Sequence, residues 1–289
     1  MHRSDTLHTI IGLSEVADQY DALLCDAWGV IHNGRELYPG VGEALTQFRQ
    51  TRGPVIILTN APRPSDIIPA QLDQLGLPRG AYDGIVTSGD ATRAAVAAQS
   101  DKPFFRLGPD KDDALFNSLP ITLTELEDAQ IILCTGPFND QTDTPEDYRE
   151  MLTSAAASGL PMICANPDKV VKFGDKLIYC AGALADLYVE LGGNVILCGK
   201  PHKPIYTVAR RALGTHNISS SARLLAIGDG LQTDILGANQ EGIDVIFVAE
   251  GIFSTDARGD DGTLSPSRLS ALLKQHNVHA EYAMDGLKW

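Results

Sequence analysis

The chain has 289 residues, of which 44% are hydrophobic and 21% are charged. These fractions are ordinary for a globular protein and exclude collagen-like and disordered chains, and at about 150 residues per domain the length suits one large domain or two. The formal net charge is −14. Because such a surface repels polyanions, we expect no nucleic-acid partner and no membrane partner.

The hydropathy pattern and the cysteines indicate the compartment. No apolar run reaches about 18 residues, the length of a membrane span, and the acidic N-terminal segment lacks the apolar centre of a signal peptide. We therefore expect a cytoplasmic protein. The cysteines form no Cys-x-x-Cys pair and lie in or beside apolar stretches (Cys25, Cys134, Cys164, Cys180, Cys198), which predicts reduced thiols in the core rather than disulfides or a zinc site.

Short β-rich runs alternate with helical patterns along the chain, which is typical of parallel βαβ units. The first run, residues 21–25, leads into Asp26, and residues 54–60 predict a second strand. The runs 224–229 and 244–250 repeat this pattern near the C-terminus. Polar residues follow each of these strands, at the sheet edge where open α/β sheets bind ligands.

Between the second and third of these strands lies a stretch with its own alternation of strands and helices. The strand-like runs are PFFRLG, IILCTG and PMICAN, and helical patterns cover residues 145–158 and about 182–192. A stretch of about 110 residues is long enough for an inserted domain. We therefore expect a Rossmann-like α/β core with a parallel sheet and an inserted α/β domain. The expected boundaries are 1–84 for the first part of the core, 85–195 for the insert and 196–289 for the second part of the core.

Two short motifs follow the first two predicted strands. Asp26 ends the first strand, and Gly29 comes three residues later; an Asp in this position is also common in turns and helix caps. Thr59 and Asn60 end the second strand, where either could also cap the helix that follows.

Two further motifs lie in the C-terminal third. The segment around Lys200 and His202 places cations before a predicted helix, whose N-terminus favours an anion. Asp229 and Asp234 lie five residues apart after a strand, and such carboxylates suit a hard cation, although solvated loop acids have the same pattern.

In their order and spacing these four motifs resemble the haloacid dehalogenase superfamily. The resemblance is greatest to the subclass that carries a large α/β cap inserted after the second motif and includes NagD-like and 4-nitrophenylphosphatase-like enzymes. It extends from Tyr20 to about Phe253 and includes the segments LTNAPR, TSGDATRAAVA, ANPDKVV and GKPHKPIY. It implies that the inserted domain is a cap that shapes access to the site. Because caps often support dimers in similar enzymes, it also implies a homodimer.

The resemblance further implies a magnesium-dependent phosphohydrolase that acts on a small phosphorylated metabolite. Asp26 would be the nucleophile and would form an aspartyl phosphate. The Mg²⁺ ion would be held by Asp26, the backbone carbonyl of Trp28, Asp229 and Asp234.

The same resemblance assigns the remaining site residues. Thr59 and Lys200 would assist the reaction by bonding to the phosphoryl group and by neutralising charge, and backbone amides near Gly29 would surround the transition state. The residues implied in substrate binding are Asn60, Trp28, Gly29, Asn166, Asp168 and His202.

The sequence departs from the family at one position. Phosphatases of this superfamily usually carry a second Asp two residues after the nucleophile, and here that residue is Trp28. An indole can donate a hydrogen bond but cannot exchange protons as a general acid and base, and losing such a group typically costs about 10²–10⁴ in rate. His32, with an ordinary pKa of about 6.5, is a candidate replacement, although a loop histidine is more often structural.

Three hypotheses follow from Trp28. The first is a phosphatase limited to good leaving groups. The second is a catalytically silent relative that binds a phosphorylated ligand or has a regulatory role. The third is a metal-independent dehalogenase-type hydrolase, in which an aromatic residue follows the nucleophile at the same spacing. The carboxylates of GDGLQTD argue against the third hypothesis, because that chemistry needs no metal.

Overall fold

The computed structural model describes residues 7–117, 119–173 and 176–289. Its strands are β1 (His8–Thr9), β2 (Ala22–Cys25), β3 (Val55–Thr59), β4 (Gly84–Thr87), β5 (Pro103–Leu107), β6 (Thr122–Thr124), β7 (Ile131–Cys134), β8 (Pro161–Cys164), β9 (Val170–Phe173), β10 (Lys176–Tyr179), β11 (Asn194–Leu197), β12 (Leu224–Gly228), β13 (Asp244–Val248) and β14 (Tyr282–Met284). Its α-helices are α1 (Val41–Thr51), α2 (Ile68–Leu75), α3 (Ser88–Ala97), α4 (Asp113–Asn117), α5 (Arg149–Ala157), α6 (Ala181–Glu190), α7 (Lys203–Thr215), α8 (Leu236–Glu241) and α9 (Pro266–Gln275).

The chain divides into two compact units. The first unit consists of Met1–Thr59, Pro69–Val86 and Tyr206–Trp289, and the second consists of Asn60–Ile68 and Thr87–Ile205. Most of the predicted insert, residues 85–195, falls within the second unit, which also takes in the segment directly after β3.

The first unit contains a seven-stranded sheet in the order β1-β14-β13-β12-β2-β3-β4. β2 lies between β3 and β12 and pairs with both in parallel. Every residue of β2, β3 and β12 is buried. A parallel sheet covered on both faces explains why these strands are continuous apolar runs with no polar alternation.

The second unit contains a five-stranded sheet in the order β11-β8-β7-β5-β6 and a separate antiparallel pair, β9 and β10. The five strands pair in parallel. Residues of α5 and α6, including Leu152 and Leu184, pack with β7 and β8 residues such as Ile132 and Met162 in one buried cluster. The second unit therefore has a hydrophobic core of its own.

The predicted α/β class is confirmed, and the element bounds differ only at the ends. The predicted strand 21–25 is Ala22–Cys25. The predicted helix over 145–158 is a 3₁₀ turn, Pro145–Tyr148, followed by α5. All five cysteines are buried thiols, as expected.

Within the described residues, no helix combines the length and the apolar character that a bilayer span requires.

Candidate active site

Asp26 and Asp229 follow two neighbouring strands of the first sheet. β2 and β12 are parallel, with Cys25 opposite Ile227. The N–H of Asp26 donates to the carbonyl of Ile227 at 2.9 Å, which extends the pairing by one residue. The carboxyl ends of parallel neighbours lie at the same sheet edge, so both aspartates emerge there.

A single π-helical turn, Leu231–Ile235, brings Asp234 to the same place. The N–H groups of Asp234 and Ile235 both donate to the carbonyl of Gly230, at 2.9 and 3.1 Å. In return, Oδ2 of Asp234 accepts from the N–H of Gly230 at 3.1 Å. Turns of this kind are rare and often occur at functional sites. Here the turn fixes the second predicted acid of the GDGLQTD segment.

The three acids form a buried cluster. One carboxylate oxygen each from Asp26, Asp229 and Asp234 lies within 4.8 Å of the other two. The side chains are only 7%, 3% and 6% exposed. Three carboxylates this close and this buried repel one another strongly unless a cation or protons compensate their charge.

The donor set fits magnesium. Mg²⁺ takes oxygen ligands at about 2.0–2.1 Å in octahedral geometry, so two ligands on one ion are at most about 4.2 Å apart. A spread of 4.8 Å among the three oxygens needs only small side-chain adjustments to reach that range. Asp26, Asp229 and Asp234 could therefore hold a divalent cation together.

Two glycines allow backbone to lie directly against Asp229. A Cβ at Gly29 or at Gly251 would lie well inside 3.0 Å of that carboxylate, a separation that real Cβ atoms do not show. Gly29 also has a φ of 90°, which favours glycine. Next to Gly251, the N–H of Ile252 donates to Oδ2 of Asp229 at 2.9 Å. The loops after β2 and β13 thus hold Asp229 from two sides.

His32 makes contacts within the loop after Asp26. This histidine is 3% exposed, and its ring packs edge-to-face against the indole of the half-buried Trp28, with centroids 5.2 Å apart and planes at 67°. Its Nδ1 accepts the N–H of Gly34 at 3.0 Å, so the neutral ring carries its proton on Nε2. His32 therefore has a structural role in this loop, whatever else it does.

The backbone N–H of Gly29 is one of the amides around Ala27–Gly29 that the resemblance implies around the transition state. In this structure it donates to the carbonyl of His32 at 2.9 Å. The tight turn uses that donor internally. The importance of Gly29 here lies in its lack of a side chain.

Thr59 and Tyr38 complete the surroundings of the cluster in the first unit. Thr59 is the last residue of β3, which pairs with β2, and it is 7% exposed. Burial and the nearby carboxylates of Asp229 and Glu250 raise the pKa of Tyr38 to about 12, so its phenol stays protonated at neutral pH. Sequence reasoning missed Tyr38, Glu250 and Gly251, because no local motif marks them.

In the second unit, Asn60 connects two other predicted site residues. Its Oδ1 accepts the N–H of Lys200 at 2.7 Å. Its Nδ2 donates to Oδ1 of Asp168 at 2.8 Å and to the Lys200 carbonyl at 3.1 Å. The N–H of Asp168 in turn donates to Oδ1 of Asn166 at 3.0 Å. Four predicted residues thus form one hydrogen-bonded group.

Lys200 and His202 differ in their surroundings. Lys200 is only 3% exposed. Lysine side chains are almost never this buried unless they are paired. His202 is half-buried, and its N–H donates to the carbonyl of Gly199 at 2.9 Å. Burial lowers the pKa of His202, so the imidazole is neutral at pH 7.

The acid cluster leads to a testable expectation about stability. Saturating Mg²⁺, at about 100 times its dissociation constant, adds about 2.7 kcal/mol to the free energy of unfolding. In a chain of this size this raises Tm by about 5 °C or more. We expect Asp229→Asn to remove this increase, as measured by differential scanning fluorimetry with and without Mg²⁺. Asp18→Asn, at an exposed position of the same unit, is the control and should keep the increase. An equal increase in both variants would show that the ion binds elsewhere.

The doubly wound sheet with three buried acids at its carboxyl edge defines an α/β protein with a candidate metal site and a second α/β unit. A family model described as haloacid dehalogenase-like hydrolase matches residues 23–122, and one described as HAD-hydrolase-like matches residues 197–272. A solved hydrolase of the haloacid dehalogenase-like family from Brucella suis 1330 is 38% identical, with a TM-score of 0.85; the match covers 96% of this chain and 99% of that one. The chain therefore belongs to the haloacid dehalogenase-like hydrolase family.

Two curated relatives are more distant. The D-glycerol 3-phosphate phosphatase of Mycobacterium tuberculosis is 28% identical over 84% of this chain, and the match spans 66% of the length of that protein. The ribonucleotide monophosphatase NagD of Escherichia coli K12 is 27% identical over 81% of this chain and 89% of its own length. The resemblance to the NagD-like subclass is confirmed.

Proposed function

We propose that the protein is a divalent-metal-dependent phosphatase that hydrolyses a small phosphorylated metabolite through an aspartyl phosphate on Asp26. The buried cluster of Asp26, Asp229 and Asp234 is the observation that carries this proposal. The phosphatase activities of the two curated relatives support the reaction type.

Asp26 acts twice in the proposed reaction. A carboxylate oxygen of Asp26 attacks phosphorus, and the bond from phosphorus to the substrate oxygen breaks, with its electron pair leaving on that oxygen. Water then attacks the phosphorus of the aspartyl phosphate, the bond from phosphorus to the Asp26 oxygen breaks, and its electron pair returns to the carboxylate. The proton that water loses passes to solvent and balances the anion released in the first step. The bond from the Asp26 N–H to the Ile227 carbonyl holds the residue at the sheet edge.

Asp229 and Asp234 would hold a magnesium ion together with Asp26 and the backbone carbonyl of Trp28. When bound, the ion supplies positive charge that screens the nucleophile from the phosphoryl oxygens. The Ile252 amide orients the Asp229 carboxylate, and the Gly230 amide orients Asp234. These bonds fix the ligands before substrate arrives, which lowers the cost of reorganisation.

The remaining residues keep the roles that the family implies. Thr59 would donate its hydroxyl to the phosphoryl group, and Lys200 would neutralise negative charge. Asn60 would position Lys200 through the 2.7 Å bond from the Lys200 N–H to Oδ1 of Asn60. Asn166 and Asp168, tied to the same group, would contact the alcohol part of the substrate together with His202.

Trp28 determines which substrates such an enzyme can use. Its indole cannot protonate the departing oxygen, so substrates whose oxygen leaves as a stable anion react best. Aryl, acyl and anhydride phosphates belong to this class. The packing of Trp28 against His32 holds the indole in the loop directly after Asp26.

A phospho-ligand-binding protein without turnover is the second candidate, and the indole at position 28 favours it. A metal-independent dehalogenase is disfavoured, because that chemistry would leave the buried acid cluster without a cation.

The experiment compares wild type with Trp28→Asp on p-nitrophenyl phosphate and an alkyl phosphate, each with and without Mg²⁺. Wild type should hydrolyse the aryl ester only with Mg²⁺. Restoring the acid should raise kcat for the alkyl ester about 10²-fold and change the aryl rate much less. Trp28→Phe, which removes the indole without adding an acid, is the matched control and should show no alkyl gain.

Two outcomes would contradict the proposal. Absence of turnover across a broad phosphate panel, together with stabilisation by phosphorylated ligands, would favour the binding protein. Equal rate changes for both esters in Trp28→Asp would show that Trp28 does not stand where the acid stands in relatives.

A further inference from the structure

The loop after β13 reaches the acid cluster through its backbone alone. The N–H of Ile252 donates to Oδ2 of Asp229 at 2.9 Å, and a Cβ at Gly251 would overlap the same oxygen. None of the three clustered acids belongs to this loop. The position of the Asp229 carboxylate therefore depends on where the backbone of residues 249–254 lies.

One arginine side chain joins the two ends of this loop. Nη1 of Arg258 donates to the carbonyl of Ala249 at 3.2 Å and to the carbonyl of Ser254 at 2.9 Å. These two carbonyls lie on either side of Gly251 and Ile252 in the chain. The arginine side chain is 23% exposed, and hydrogen bonds from a charged donor are roughly twice as strong as neutral ones. The guanidinium therefore fixes the separation of the two loop ends.

Arg258 is itself held by neighbouring elements of the first unit. Its Nη2 pairs with the carboxylate of Asp285, which directly follows β14. Its carbonyl accepts from Nη1 of Arg268, a residue of α9, at 2.6 Å. The N–H of Ala249 donates to the carbonyl of Met284, the last residue of β14, at 3.0 Å. The loop after β13 is thus held relative to both β14 and α9.

The arrangement of acceptors around Arg258 matches a guanidinium in particular. Each terminal nitrogen of this group carries two N–H donors in a planar fork. Nη1 gives its two donors to the two loop carbonyls, and Nη2 remains for Asp285. A lysine has the same charge on one strongly hydrated nitrogen at the end of a flexible stem, and it lacks the fork. Positive charge alone therefore does not replace the arginine.

We propose that Arg258 is a positioning residue for Asp229. By joining the carbonyls at both ends of the loop after β13, it keeps the Ile252 amide and the Gly251 backbone against the Asp229 carboxylate. Its effect on metal binding rests on the proposed function, in which Asp229 holds Mg²⁺, and reaches the ion only through Asp229. Groups that orient metal ligands typically contribute about 10–100-fold to metal affinity.

The first test is isothermal titration of the whole protein with Mg²⁺. We expect Arg258→Met to weaken Mg²⁺ binding about tenfold, and Arg258→Lys to do nearly the same because it keeps the charge without the fork. Arg52→Met is the matched control and should stay within twofold of wild type. Arg52 donates to the carbonyls of Ala17 and Asp18 at 3.0 and 2.6 Å in the same unit. Unchanged affinity in Arg258→Met, full rescue by lysine, or an equal loss in Arg52→Met would overturn the proposal.

A second measurement separates this proposal from the phosphatase function. Hydrogen exchange of the Ile252 amide, followed by NMR in metal-free protein well below Tm, needs neither the ion nor turnover. We expect this amide to exchange at least tenfold faster in Arg258→Met than in wild type, and at the wild-type rate in Arg52→Met. An unchanged Ile252 rate in Arg258→Met overturns the positioning role, whatever the Mg²⁺ affinity. If that rate rises but wild type binds no Mg²⁺ or hydrolyses no ester, the positioning role stands and only the proposed function fails.

Discussion

Asp26→Asn is expected to abolish turnover, with a loss of at least about 10⁴-fold in kcat, as is typical when a nucleophile is removed. An amide oxygen attacks phosphorus poorly, and the substitution also takes one negative charge from the acid cluster. That cluster carries three buried carboxylates, so the metal-free variant should be at least as stable as wild type. Loss of activity with an unchanged or higher Tm would separate a chemical role from a structural one.

The measurement combines steady-state kinetics on p-nitrophenyl phosphate with mass spectrometry of acid-quenched enzyme. Wild type should carry one added phosphoryl group on the peptide that contains Asp26, and Asp26→Asn should carry none. Asp18→Asn removes an exposed carboxylate from the same unit and should leave both readouts as in wild type. Turnover that survives in Asp26→Asn would show that the covalent mechanism is wrong.

Gly251→Ala is expected to have the next largest effect, although the added methyl group carries no charge. Its Cβ would overlap the Asp229 carboxylate, so the carboxylate or the loop after β13 must move. Displacement of a reacting group by about 1 Å can cost about 10² in rate, and overpacking typically costs about 1–3 kcal/mol of stability. We expect kcat to fall by about 10²-fold, and we expect Mg²⁺ to raise the Tm of this variant less than it raises the Tm of wild type.

Gly214→Ala is the matched control for this substitution. Gly214 lies within α7, and, apart from its chain neighbours and its own helix backbone, no heavy atom of the described residues lies within 4 Å of where its Cβ would be. Alanine in a helix is favoured over glycine by roughly 0.5–1 kcal/mol, so this variant should be slightly more stable, with unchanged kinetics. If Gly251→Ala behaves like Gly214→Ala, the loop after β13 does not hold Asp229 in place.

The predictable part of the fold is the part with strong local patterns. The runs around residues 22–25, 55–59 and 224–228 are apolar throughout because both faces of the sheet are covered. The motif residues after these strands could be assigned to one edge of the sheet, because the carboxyl ends of neighbouring parallel strands lie at the same edge. Asp26, Asp229 and Asp234 accordingly lie close together.

The unpredicted features depend on contacts between distant parts of the chain. Tyr38 and Gly251 approach Asp229 from separate loops, and no motif or spacing in the sequence indicates that they do. The π-helical turn at Leu231–Ile235 likewise depends on bonds that propensities do not reveal.

The pairing of β2 with β12 also constrains how the protein is made. Ala22 lies opposite Leu224, so during synthesis one edge of β2 has no native neighbour until most of the chain, including the entire second unit, has emerged. Pairings between residues so distant in sequence form slowly, and an apolar strand with an open edge is prone to aggregation in the meantime. The acid cluster, which needs Asp26 and Asp229 from these two strands, is therefore completed late in folding. Truncation after the second unit would leave an unfinished sheet prone to self-association, and expression yield should depend on chaperones more than equilibrium stability alone suggests.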